Sequence, residues 1–191
     1  MLSKPAQDWQ LGGHNEQMEW TGAKYADAPT VQVQTWVDAA PEVVWPIVTD
    51  VEAMPAMSAE VLQVRWCDDS AIAASVPAVG RRFAGTSRHE ALGEWSTVSY
   101  VVECEEPSVF AWAVGDPETP SATWRFTLSP ADGGTVLEQW MRLGPARSGL
   151  SLAIDARPDK EEKIVFVRLR EFERAMTATV AAIKQRAEAA R

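Results

Sequence analysis

From residue 31 the chain alternates apolar and polar positions with a period of two, the mark of a half-buried strand. In "TVQVQTWVD", Val31, Val33, Thr35 and Val37 share one face, and Gln32, Gln34, Trp36 and Asp38 share the other. Trp36 falls on the polar side and is expected at the surface. The next stretch, "AAPEVVWPIVTD", takes helical spacing. Pro41 suits a first helical position, and Glu42 stands in the first turn, where a carboxylate meets the positive end of the helix dipole. Pro46 is expected to cut this helix short. In "DVEAMPAMSAE", Asp50 should cap a second helix that contains a further breaker, Pro55. Trp45 and Trp66 read as core of this short-helix corner.

Six further runs return to strand character: "VLQVRWC", "RRFAGTSRH", "EWSTVSYVVECEE", "SVFAWAVG", "SATWRFTLSP" and "GTVLEQWMRL". The segments between them carry turn residues: Val79-Gly80, Leu92-Gly93, Glu106-Pro107, Asp116-Pro117 with Pro120, and Asp132-Gly133-Gly134. Short connections join neighbours, so an antiparallel meander is predicted. "GPARSGLSLAIDAR" holds no sustained period and reads as a loop or a poorly formed turn. From Pro158 the period changes again. Val165, Leu169, Phe172, Met176, Val180, Ile183 and Ala187 form one apolar stripe along a helix. Its length is roughly thirty residues, about 45 Å. Acidic Asp159, Glu161 and Glu162 lead it, and basic Lys184, Arg186 and Arg191 close it.

This order predicts an α+β fold. The apolar face of the sheet needs cover, and the final helix is the one element long enough to give it. A curved sheet of seven antiparallel strands wrapped around one helix cannot touch it everywhere, because the two surfaces curve differently. The space left between them is either filled by large side chains or open to a ligand. Residues 30–191 are expected to form this single domain. Residues 1–29, with Trp9 and Trp20 as anchors, read as an arm or tail, able to cover a partner or a second copy of the chain.

Composition narrows the function. With 27 acidic and 18 basic residues the formal charge is −9, which argues against a protein that gains affinity by neutralising phosphates, and no nucleic-acid partner is expected. Residues 158–191 hold eight basic and six acidic side chains, so residues 1–157 carry −11. Cys67 and Cys104 read as buried thiols, too few for a disulfide framework. The start shows no leader pattern and no run is long and apolar enough to insert in a membrane, which points to a cytoplasmic protein. Two separated histidines and two separated cysteines offer no metal-ligand spacing, so no metal and no cofactor are expected.

The chemistry-bearing candidates are few. His89 shares its strand phase with Phe83 and could act as a general acid or base, or stand at a strand end beside Glu90 as a hydrogen-bonded or solvated side chain. Glu138 alternates with Val136 and Trp140, so either it points inward or Trp140 points outward. Tyr100 offers a phenol, and Glu94 and Glu103 carboxylates. Phe110 and Trp112 share a face, as do Trp124 and Phe126, and that face is expected to be concave. For these indoles core packing and pocket lining remain open alternatives, and Trp95 could point either way.

Taken together, "VQTWVDAAPEVVWPIVTDVEAMPAMSAEVLQVRW", "VGRRFAG", "EWSTVSYVVECEEPSVFAW", "ATWRFTLSPADGGTVLEQWMRLGP" and the closing helix resemble the SRPBCC superfamily, also called START-like or Bet v 1-like. The resemblance is to its polyketide cyclase/dehydrase and lipid transport branch and spans about residues 30–188. It implies a helix-grip fold holding a hydrophobic or polycyclic small molecule between sheet and helix, or a cyclase or aromatase acting there without a cofactor. The candidate lining is then Phe83, Trp95, Phe110, Trp112, Trp124 and Phe126 from the sheet, Met54 and Met57 from the short helices, and Val165, Leu169, Phe172 and Met176 from the final helix. Met54 and Met57 stand where relatives often place an aromatic, which makes that edge adaptable. For an enzyme, the base would be His89, with Tyr100 or Glu138 orienting it.

Overall fold

The computed structural model describes residues 18–67 and 76–190; Trp9 and Arg191 lie outside them. Strand β1 (Thr30–Val37) leads into helix α1 (Pro41–Thr49) and a 3-10 helix (Val51–Ala56). Strands β2 (Val61–Trp66), β3 (Arg82–His89), β4 (Gly93–Glu105), β5 (Val109–Val114), β6 (Ala122–Ala131) and β7 (Gly134–Leu143) follow. Helix α2 (Gly149–Ala156) and the long helix α3 (Glu161–Ala189) complete the chain. The seven strands form one sheet in the order β1-β7-β6-β5-β4-β3-β2, with every pairing antiparallel. The strands β2 to β7 meander as expected. β1 closes against β7, with Thr30 opposite Arg142 and Val37 opposite Thr135.

The core lies between the concave face of the sheet and α3. Along β7 the inward residues Thr135, Leu137, Gln139, Met141 and Leu143 are buried, while Val136, Glu138, Trp140 and Arg142 are not. Two apolar clusters result. One joins Val37, Val44, Trp45, Phe83, Phe110, Trp112 and Leu137 to the C-terminal part of α3 through Val180, Ile183 and Ala187. The other joins Val31, Met141, Leu143 and Leu150 to Val165, Leu169 and Met176. Tyr25 ties residues before β1 to this second end: its hydroxyl donates to the carbonyl oxygens of Ala146 at 2.7 Å and Ser121 at 3.2 Å, and its N–H to Glu161.

The two short helices and the Asp50 cap are present as expected, while the breaking roles of Pro46 and Pro55 and the stretch after Gly144 are corrected. Pro46 does not cut α1 short; the helix runs on to Thr49, because Pro46 sits on the exposed face while Val44, Trp45 and Val48 anchor the other side. Burial outweighs the one donor that proline removes. The second short element is a 3-10 helix that includes Pro55, and Asp50 caps it by accepting from the Ala53 N–H at 3.2 Å. The stretch read as a loop after Gly144 contains α2, fixed by Leu150 packed in the second cluster and by Ser151 Oγ accepting the Ser148 N–H.

A bulge in β4 between Val101 and Glu103 resets the alternation. Before it Trp95, Thr97, Ser99 and Val101 point inward. Unbroken alternation would send Glu103 inward too, but the bulge turns it to the outer face, where it pairs with Arg125. Trp36 lies outside, as its phase predicts, with its ring N–H donating to Ala131 at 3.2 Å and Lys184 5.3 Å from its centroid.

Candidate functional site

Between sheet and α3 lies a cavity of about 730 Å³. That is well within the range of pockets that enclose a drug-sized molecule, which extends to about 1,000 Å³. Its floor is aromatic. Trp112 on β5 and Trp124 on β6 are direct cross-strand partners, and their rings stack at 10° with centroids 6.2 Å apart. Phe126 and Phe83 flank Trp112 at 5.9 and 6.0 Å, and Phe172 of α3 meets Trp124 edge-on at 5.4 Å. Rings therefore continue unbroken from Trp66 on β2, through Phe83, Trp112 and Trp124, to the helix. Such contacts hold each ring in one orientation.

Of the twelve residues proposed to line the pocket, Met54, Met57, Trp95, Trp112, Trp124, Phe126, Phe172 and Met176 line the cavity. The other four do not. Phe83 and Phe110 lie behind Trp112 as core, Phe110 fully buried against Trp45. Val165 and Leu169 pack with the second cluster and line a separate small pocket beside Met18 and Thr21. The stripe on α3 turns away from the cavity toward its N-terminal end, so only its middle faces the space. Trp95, open in the sequence, points inward.

The three candidate catalytic groups are not brought together. Tyr100 lies on the outer side of β4, opposite in phase to the lining residues Trp95 and Thr97. Glu138 also points outward and accepts from Gln32 Nε2 at 2.7 Å; it is Trp140 and Glu138 that share the outer face. His89 is the end residue of β3 and is outside the cavity wall. Its Nδ1 accepts the Ala91 N–H at 3.2 Å, so Nε2 carries the proton and donates to Glu171 at 3.1 Å.

Glu171 belongs to a charged cluster that the sequence reading missed. Arg168 of α3 is buried and places Nη1 and Nη2 each 2.7 Å from an oxygen of Glu60, and Nη1 also 3.1 Å from Glu171. Its guanidinium stacks 4.0 Å from the Phe172 centroid. Burial by itself would lower the pKa of Arg168, but the hydrogen bonds and charge of Glu60, then of Glu171, outweigh it and hold the group above its ordinary value. Arg168 and Glu60 both line the cavity, giving an apolar space one ionic end. A signal existed in the sequence: Arg168 follows Val165 by three and precedes Phe172 by four, so it lies within the apolar stripe.

Other polar residues at the wall include Thr97, Gln139, Ser148 and Thr179, together with Arg147, which is paired with Asp155, and Leu150, Leu152 and Ala153 of α2 stand on the far side. Thr179 is committed, donating to Met57 and Ala175 carbonyl oxygens at 3.0 Å each. Among the described residues no group of histidine, cysteine and acidic side chains could hold a metal ion, and no helix is long and apolar enough to cross a membrane. Cys67 and Cys104 are free and half-buried.

A seven-stranded sheet gripping one long helix over an internal cavity defines the helix-grip class of the SRPBCC superfamily. The family described as polyketide cyclase/dehydrase and lipid transport matches residues 28–188, and the chain belongs to it. Among solved structures it is similar to a polyketide-cyclase-like protein of Corynebacterium glutamicum, at 23% identity over 81% of this chain and 88% of that one, with a TM-score of 0.57. It is also similar to a Thermus thermophilus protein at 12% identity, covering 85% and 99% of the two chains with a TM-score of 0.60. The Zhui aromatase/cyclase of a Streptomyces species shares 16% identity over 84% and 93%, with a TM-score of 0.57. At these identities the likeness is one of fold. No curated protein sequence matches the chain.

Proposed function

We propose that the protein binds a hydrophobic, planar small molecule in the cavity between the sheet and α3. The stacked Trp112–Trp124 pair carries this reading, because it offers two fixed indoles along a space of about 730 Å³ that side chains do not fill. The apolar body of the ligand would lie along Trp124 and Phe126, with Met54 and Met57 adapting at one edge. Catalysis is the weaker reading. Among the described residues Glu60 is the one carboxylate in the wall, and both of its oxygens are taken by Arg168, while His89 is held outside by Glu171 and Ala91.

Native mass spectrometry of protein purified from its own host tests the proposal. The expected result is a non-covalent adduct of one small molecule that quenches tryptophan fluorescence when added back to stripped protein. No adduct, with unchanged fluorescence across lipids, polyketides and hydrophobic dyes, would overturn it.

A further inference from the structure

On the reading that the cavity holds a planar apolar ligand, two wall residues carry a buried polar atom without a protein partner, Ser148 at the start of α2 and Gln139 in the sheet, and only Gln139 stands beside the aromatic floor. Gln139 stands in the inward row of β7 between Leu137 and Met141, only 6% exposed. Thr135, the other polar residue of this row, is satisfied by donating to the Ala39 carbonyl oxygen at 2.7 Å. The Gln139 Oε1 is buried with no protein hydrogen-bond partner. A buried amide oxygen without a partner costs stability that a leucine or methionine at the same place would not. Its position explains why it is tolerated: Gln139 pairs in register with Phe126, is diagonal to Trp124, and forms part of the cavity wall.

We infer that Gln139 sets ligand specificity by hydrogen-bonding a hydroxyl carried on the planar ring system of the ligand. A ring lying along Phe126 and Trp124 brings its edge to β7, where the amide stands. The amide torsion is roughly two-fold, so either the oxygen or the NH₂ can face the ligand. A hydroxyl both donates and accepts, and it satisfies either orientation. The ligand class is thus a hydroxylated planar polycycle, and bare hydrocarbons of the same shape are discriminated against because they leave the amide unpaired.

The test uses the full chain with a phenanthrol and the methylphenanthrene substituted at the same ring position, titrated by tryptophan fluorescence. Wild type is expected to bind the phenanthrol about tenfold more tightly. Gln139→Leu should abolish that preference while the ligand-free variant melts at the same temperature as wild type or higher. Gln139→Met, closer in shape, replaces it if the leucine variant does not fold. Equal binding of the two probes, a preference kept in the variant, or a lower melting temperature in both variants would each overturn the assignment while leaving the cavity as a binding site. Binding of neither probe to wild type would overturn the binding reading and this one with it.

Discussion

Arg168 takes both carboxylate oxygens of Glu60 at 2.7 Å, a forked pair that fastens the middle of α3 to the residue just before β2. It joins two elements far apart in sequence at one end of the cavity. Removing one partner leaves the other as a buried charge, and such losses cost about 3–5 kcal/mol, whereas replacing both by apolar groups is often neutral. Arg168→Leu is therefore expected to destabilise the protein by about 3 kcal/mol, and the Arg168→Leu/Glu60→Leu pair to recover most of it. Urea denaturation of the two single variants and the double variant gives the coupling directly.

Trp112 and Trp124 stack as partners but differ in burial. Trp112 is 7% exposed and wedged among Phe83, Phe110 and Phe126, while Trp124 is half-buried. Truncating a buried aromatic costs about 3–5 kcal/mol, so Trp112→Ala should approach that range and Trp124→Ala fall well below it. Both should weaken binding of the copurified ligand. A Trp124→Ala variant that binds with wild-type affinity in a fluorescence or calorimetric titration would remove this indole from the site.

Two glycines make opposite predictions. A Cβ on Gly134 would run into the Val37 carbonyl oxygen and lie 2.9 Å from the Trp36 ring, where backbone cannot give way. Gly134→Ala should cost about 2 kcal/mol or more, as overpacking does. Gly149, in the first turn of α2, has nothing within 4 Å of such a Cβ. Gly149→Ala should leave stability unchanged or raise it by up to about 1 kcal/mol through helix propensity. Thermal melts of the two variants decide both.

Burial, and then the charge of Glu106, push the Cys104 thiol above its ordinary pKa. Its Sγ also donates to the Pro77 carbonyl oxygen at 3.4 Å. In a Cys67→Ser background, alkylation of Cys104 at neutral pH should be slower in the folded than in the unfolded chain. The raised pKa means the folded state holds the proton that the unfolded state releases first. The resulting stabilisation is present below the ordinary thiol range and is lost as pH rises through the folded value. Cys104→Ser should flatten the alkaline limb of a stability–pH profile.

Much of the grip was legible because period-two and helical patterns are statements about one buried face. The phase of Trp112, Trp124 and Phe126 sufficed to place them inward. Three things escaped. The bulge at Val101–Glu103 adds one residue with no compositional mark, and it reverses the facing of the rest of β4. α2 is too short for a period to declare itself against its glycine-rich lead-in. Arg168 falls within the apolar stripe of α3, but its partner Glu60 is 108 residues away and that contact is purely tertiary. The aromatic wall was thus readable from the strands alone, while the polar end of the site depends on which distant residues the fold brings to it.

The pairing of β1 with β7 carries a consequence for assembly in time. β1 leaves the ribosome before any other strand but finds its neighbour only when β7 is complete, so its register is settled across the longest separation in the sheet. The hairpins from β2 to β7 close locally and early. α3 comes last, and with it the roof over Trp112 and Trp124. A chain that has not yet made α3 has no roof over this space, so a ligand can be gripped between sheet and helix only after α3 is in place.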